Sequence, residues 1–201
     1  MGSQELESIV NEVKNLDFLI KDPVLTQAET IVIIQSVMRF KPASVWVKPC
    51  YVRPVAALLR NEDIQIGTLI GSPDGSNNTQ IKVAEAKRAL TEGATLLAAP
   101  INVGFIKEQR NDALLADLHA VSGIAHMNAA NFEVMFDLGL LETHEIIRAA
   151  QTAQQADADT LSFFIEFANA GWDFSVFDLI HNKVGKSVQL KGLIRLDKAV
   201  D

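Results

Sequence analysis

Asp159-Thr160-Leu161-Ser162-Phe163-Phe164-Ile165-Glu166-Phe167 is the stretch on which the fold turns. It is apolar almost throughout and rich in β-forming side chains. A long helical pattern precedes it, and Ala168-Asn169-Ala170-Gly171, a loop, follows. A short apolar run set between helices marks a strand buried on both faces of a parallel sheet. Ser162 is its one small polar interior residue.

Outward from this strand the same alternation repeats. Upstream, residues 142–155 form a helical pattern with acidic residues in the first turn, which suits the helix dipole. Residues 132–138 read as a second buried strand. Further strands are expected over 16–20, 43–48, 64–70 and 94–103, and a last one over 187–191. Helices are expected over 4–15, 26–39, 55–60, 79–90, 112–121 and 174–183. Thr26-Gln27-Ala28-Glu29 is a capping box, a hydroxyl and a carboxylate three apart that satisfy two free backbone N–H groups. Gly93, Gly123 and Gly185 stand where helices should end. Asp173 is placed to cap the helix that follows it. Gly71-Ser72-Pro73-Asp74-Gly75 is a turn, and residues 125–131 read as a loop. A further helix is expected to start at Leu196. Strands about 30 residues apart, separated by helices, define βαβ units and a parallel sheet covered by helices, as a barrel or a doubly wound sheet. In both, ligands sit at the C-terminal strand ends.

Composition sets the outer limits. The chain has 201 residues, 48% of them hydrophobic and 21% charged, enough for one domain spanning 1–201. A net charge of −7 argues against nucleic acid or an anionic membrane as partner. The lone cysteine, Cys50, excludes an intrachain disulfide. It lacks a neighbouring base and reads as a packed thiol. The four histidines are scattered, so no metal site is expected. The N-terminus lacks a signal core, and no apolar run reaches the length of a membrane span. A cytoplasmic protein is the expectation.

Several stretches together resemble class I deoxyribose-phosphate aldolases, which are TIM barrels. Ala43-Ser44-Val45-Trp46-Val47-Lys48-Pro49-Cys50-Tyr51-Val52 is similar to the family's second strand and turn, A-S-V-x-V-N-P-x-Y-V. Thr68-Leu69-Ile70-Gly71-Ser72-Pro73-Asp74-Gly75 resembles T-V-I-G-F-P-x-G. Gly93-Ala94 with Ile101-Asn102-Val103-Gly104 matches the fourth strand, and Ile194-Arg195 the G-G-I-R loop after the seventh. The resemblance runs from about Leu16 to Arg195. It implies a phosphosugar or aldehyde ligand, no cofactor, and contacts to substrate at Asn102, Gly192 and Arg195.

The family's chemistry needs a lysine amine to form an imine, a second lysine to lower its pKa, and a carboxylate to move the proton. These are the positions where the chain departs. The imine lysine of F-V-K-T-S-T-G falls on Ser162, and the polar residues after it become Phe163-Phe164-Ile165-Glu166. The fourth-strand aspartate falls on Ala98. The second lysine is Lys191 or Gln189, depending on where a gap is placed. The fifth-strand glutamate is retained in kind as Asp137. Serine forms no imine and alanine relays no proton, while Phe163, Phe164 and Ile165 fill space a sugar phosphate would need.

Two lysines remain as candidates for a relocated amine. Lys48 stands where the family usually has asparagine, and otherwise reads as a solvated or salt-bridged rim residue. Lys191 is either the surviving second lysine or a strand-end charge paired with Asp137 or Glu166. Trp46 and Trp172 read as core or interface. The seven strand candidates end at Lys191, and the eighth strand with its phosphate-binding loop is not evident. The expected fold is therefore an incomplete TIM-barrel-like (β/α) barrel. Either its two edges are covered, by a homo-oligomer, a partner chain or the N-terminal segment, or the chain is shorter than its gene product, or the sheet is open. Two functions follow: a diverged aldolase relative without the reaction, or a lyase using Lys48 or Lys191.

Overall fold

The computed structural model describes residues 16–20, 22–164 and 175–193. The helix expected over 4–15, the loop and cap over 168–173, the helix start at Leu196, Glu166, Trp172 and Arg195 lie outside them. The strands are β1 (Asp17–Leu19), β2 (Ser44–Val47), β3 (Gln65–Leu69), β4 (Leu96–Pro100), β5 (Asn131–Asp137), β6 (Thr160–Phe164) and β7 (Gln189–Gly192). Between them run α1 (Gln27–Val37), α2 (Val52–Leu58), α3 (Thr79–Glu92), α4 (Val103–Lys107), α5 (Asn111–Met127), α6 (Thr143–Gln155) and α7 (Ser175–Val184).

The strands form one sheet in chain order, β1 to β7, with every neighbouring pair parallel. A doubly wound sheet reverses its order at a switch point. This one never does, so the sheet curls into a seven-stranded TIM-barrel-like half-barrel with helices between its strands.

Both faces of the sheet are apolar, for different reasons. Val45, Val47, Leu97, Phe132, Val134, Phe136, Leu161 and Phe163 point outward into the main core shared with the helices. Phe136 and Phe163 stack at 5.0 Å, and Phe177 of α7 meets Phe163 edge-on at 5.2 Å. The alternate residues point inward. Trp46, Ala98 and Met135, packed with Leu69, Leu96, Phe164 and Leu193, form a second, smaller cluster inside the curl. Alternation thus splits the aromatic run of β6: only Phe164 faces the interior, and Phe163 belongs to the helix layer. The expectation that all three bulky residues fill the site is corrected for Phe163.

Local chemistry fixes the elements. Thr26 and Glu29 complete the expected capping box on α1, and Glu142 and Glu145 make a second one on α6. Gly93 ends α3 at φ +107°, where an added Cβ would lie 2.6 Å from Ala56. The Gly71–Gly75 turn is tied down from α3. The Gly71 N–H donates to Glu85 Oε2 at 2.6 Å, and the stem of Lys82 packs on Gly71. Lys82 itself is buried and paired with Asp117 of α5 at 2.6 Å, while the Thr79 hydroxyl donates to the same carboxylate at 2.6 Å.

Two expected boundaries are corrected. Residues 101–103 are not strand: Asn102 accepts from the Phe105 N–H at 3.2 Å and starts α4. Residues 125–127 are not loop: α5 runs through Gly123 to Met127, because Ala125 is buried and the Ser122 hydroxyl ties the helix to the Ala156 carbonyl at 2.5 Å. A mid-helix glycine costs only about 1 kcal/mol.

Candidate functional site

The interior of the half-barrel is where the polar strand residues meet. β1 contributes Asp17, β2 Ser44, β5 Glu133 and Asp137, β6 Ser162, and β7 Lys191. Register places Lys191 beside Ser162, Ser162 beside Met135, and Glu133 beside Ala98.

Lys191 is the centre of this group. Its Nζ lies 2.5 Å from Asp17 Oδ2 and 2.7 Å from Glu133 Oε2, and 5.7 Å from the Trp46 ring centroid. The Ser44 hydroxyl donates a short hydrogen bond to the other oxygen of Asp17. Burial works to lower the Lys191 pKa, but the Glu133 charge and the hydrogen bonds to Asp17 and Glu133 outweigh it and raise the pKa above 10.5. Among the described residues Lys191 is paired with Asp17 and Glu133 rather than with Asp137; Glu166, the other expected partner, lies outside them.

Packing closes the space around it. Trp46 lies across Gly67 of β3, where a Cβ would fall 2.3 Å from the indole. Trp46, Leu19, Leu69, Met135 and Leu193, with Asp17 and Glu133, line a cavity of about 30 Å³. That is room for about two waters and far below a small-molecule pocket of roughly 300 Å³ or more. Ala98 and Ser162 are fully buried on this face.

The other sequence candidates separate from Lys191. Lys48 follows β2 at the rim and donates to the carbonyls of Pro23 and Leu25, both at 2.9 Å. Among the described residues it forms no salt bridge, and its two hydrogen bonds pin the segment after β1. Tyr51 donates to the same Leu25 carbonyl at 3.2 Å. Cys50 beside it is exposed rather than packed, since the Pro49–Tyr51 turn faces solvent. Asn102 serves α4 as its cap. Gly192 is exposed in β7 opposite Phe163. Asp137 stays inside: its Oδ1 accepts from the Gly139 N–H at 2.8 Å, and its Oδ2 has no hydrogen-bond partner among the described residues.

Sequence reasoning missed Asp17 and Glu133. A signal existed: Asp17 is the lone acid of the apolar run 16–20, and Glu133 is one of two acids in the otherwise apolar run 132–138. Glu133, Met135 and Asp137 share one face by period 2.

A curled, all-parallel sheet with outer helices and polar groups gathered inside defines a (β/α)-barrel-type protein. No helix among the described residues is long and apolar enough to cross a membrane. No protein-family profile matches the chain. The chain is 30% identical over 182 residues to the deoxyribose-phosphate aldolase of Bacillus mycoides, covering 90% of this chain and 81% of that one. It therefore belongs to the deoxyribose-phosphate aldolase family. A crystal structure of a candidate deoxyribose-phosphate aldolase from Coccidioides immitis superposes with a TM-score of 0.85 at 25% identity, covering 93% of this chain and 75% of that one. The tetrameric deoxyribose phosphate aldolase of Aeropyrum pernix shares the fold, with a TM-score of 0.81 at 16% identity, covering 94% and 80%.

Proposed function

We propose that this aldolase-family protein has lost the imine reaction and keeps the barrel for binding. The observation that carries this reading is Lys191. A nucleophilic lysine must be free of its proton, and this one is held as an ammonium between Asp17 and Glu133. Lys48, the other candidate, directs its Nζ hydrogens to two carbonyls. Ser162 and Ala98, at the positions the resemblance gives to the imine lysine and the aspartate, have no amine or carboxylate to offer. The 30 Å³ cavity leaves no space for a phosphosugar beside Trp46.

The test is turnover. The protein is expected to release no acetaldehyde from deoxyribose 5-phosphate above a buffer blank. Turnover abolished by Lys191→Met or Lys48→Met would instead support a lyase with a relocated amine. Self-association belongs to the same reading, since β1 and β7 each pair on one side only among the described residues. A clean monomer by light scattering would remove that part.

A further inference from the structure

We propose that the outward face of α1 joins two copies of this chain, with the two helices antiparallel about a two-fold axis; this rests on the self-association put forward above and assigns it a surface. Apolar exposure is concentrated at this end of the sheet. Of the large apolar side chains exposed among the described residues, five fall in the β1–α1 stretch: Leu16, Leu19, Val24, Val32 and Phe40. The other four stand apart, on α3, on α5, after β5 and on α7. Apolar residues exposed singly need no explanation, whereas a group of them marks a contact surface. Ile31-Val32-Ile33-Ile34 step around α1 by about 100° each and so cover its whole circumference. Ile34 is fully buried in the main core, and Val32, on the opposite side, is 63% exposed. A helix that is apolar on every side is one that is covered on every side.

Charge selects the occupant. The outward positions around Val32 are Ala28, Gln35 and Ser36, none of them charged. The exposed residues of α3 and α7, by contrast, include Lys87 and Arg88, and Asp178 and Lys183. On α1 the charges lie at the two ends. Asp22 precedes the helix and Glu29 stands in its first turn, where it completes the capping box. Arg39, stacked 4.6 Å over the Phe40 ring, and Lys41 follow its last turn. A two-fold axis sets a patch against itself, so the sign at each end decides the direction. Parallel helices would set acid on acid and base on base. Antiparallel helices bring Glu29 of each copy to Arg39 of the other, lay Phe40 over the small Ala28, and set Val32 against Ser36 and Gln35. A contact along a helix of 11 residues belongs to the smaller class of interfaces, below roughly 1,200 Å² in all. The dimer should therefore come apart on dilution.

Sedimentation velocity of the full chain, from low to high micromolar, tests the face. Wild type is expected to pass from monomer to dimer over this range. Val32→Glu should weaken the dimer at least tenfold while the melting temperature holds, because the side chain it replaces is exposed. Arg39→Glu makes both ends of the patch acidic, and Glu29→Lys makes both ends basic. Each should be monomeric alone, and their equimolar mixture should dimerise. This mixture decides the matter if Val32→Glu does not fold. A wild type that stays monomeric overturns the proposal, whether the N-terminal segment or solvent covers the face. A mixture that stays monomeric overturns it too. A dimer undiminished by Val32→Glu overturns the α1 face and leaves the open strand edges as the joining surface. The loss of imine chemistry is read apart from all of these: an adduct with acetaldehyde and borohydride on a protein that dimerises through α1 overturns that reading alone.

Discussion

The Lys191 ammonium of β7 lies 2.5 Å from the Asp17 carboxylate of β1. These strands stand at opposite ends of the sheet and share no backbone pairing. A side-chain bridge joins them where a closed barrel would use hydrogen-bonded strands. Glu133 of β5 holds the same ammonium from across the interior at 2.7 Å. One lysine thereby ties the first, fifth and seventh strands together, and that tie is incompatible with a free amine.

Lys191→Met should destabilise the protein by about 1–3 kcal/mol, below the ~3–5 kcal/mol of a fully buried broken pair because the site is partly wet. The pH dependence follows from the raised pKa. A raised folded-state value adds stability that is fully present below the unfolded value of 10.5 and fades as pH rises through the folded one. Urea unfolding at pH 8 and pH 11 should therefore show the gap between wild type and Lys191→Met narrowing at the higher pH. A constant gap would contradict the bridge.

Lys82 and Asp117 join α3 to α5 with both side chains almost fully buried. Asp117→Ala leaves a buried ammonium unpaired and should cost about 3–5 kcal/mol in urea unfolding. The double variant Lys82→Met/Asp117→Leu should recover most of this, since it removes both charges and keeps the volume. A double variant as unstable as the single one would count against the pair as the cause.

Gly67 is held small by Trp46. Gly67→Ala should cost about 1–3 kcal/mol through overpacking. With Trp46→Leu in the background the penalty should shrink, so the two changes will be non-additive in a double-mutant cycle. Strict additivity would mean that the indole does not sit on the glycine.

Much of the fold is legible in the sequence, because strands buried on both faces are short apolar runs, and residues 132–138 and the 159–167 stretch stand out on that ground alone. The Thr26 capping box and the Gly93 helix end are local chemistry and read directly. Helix ends without such chemistry are less legible: Gly123 resembles a stop, yet α5 continues because Ala125 and Ser122 are wanted in the core. The site is harder still. Lys191 is conspicuous, but its partners depend on how the sheet curls, and nothing near it in the chain names Asp17 or Glu133. Asp137 shares a strand face with Glu133, so the nearer-seeming choice was the wrong one. Lys48 is decided by the path of residues 23–25, which no pattern in the sequence specifies.

The central claim of the proposed function is that neither Lys191 nor Lys48 is available for imine chemistry. Incubating the protein with acetaldehyde, reducing with borohydride and measuring intact mass tests it most directly. The account predicts an unchanged mass under conditions in which an active aldolase of the family is labelled stoichiometrically. A single reduced adduct mapping to Lys191 or Lys48 would contradict it.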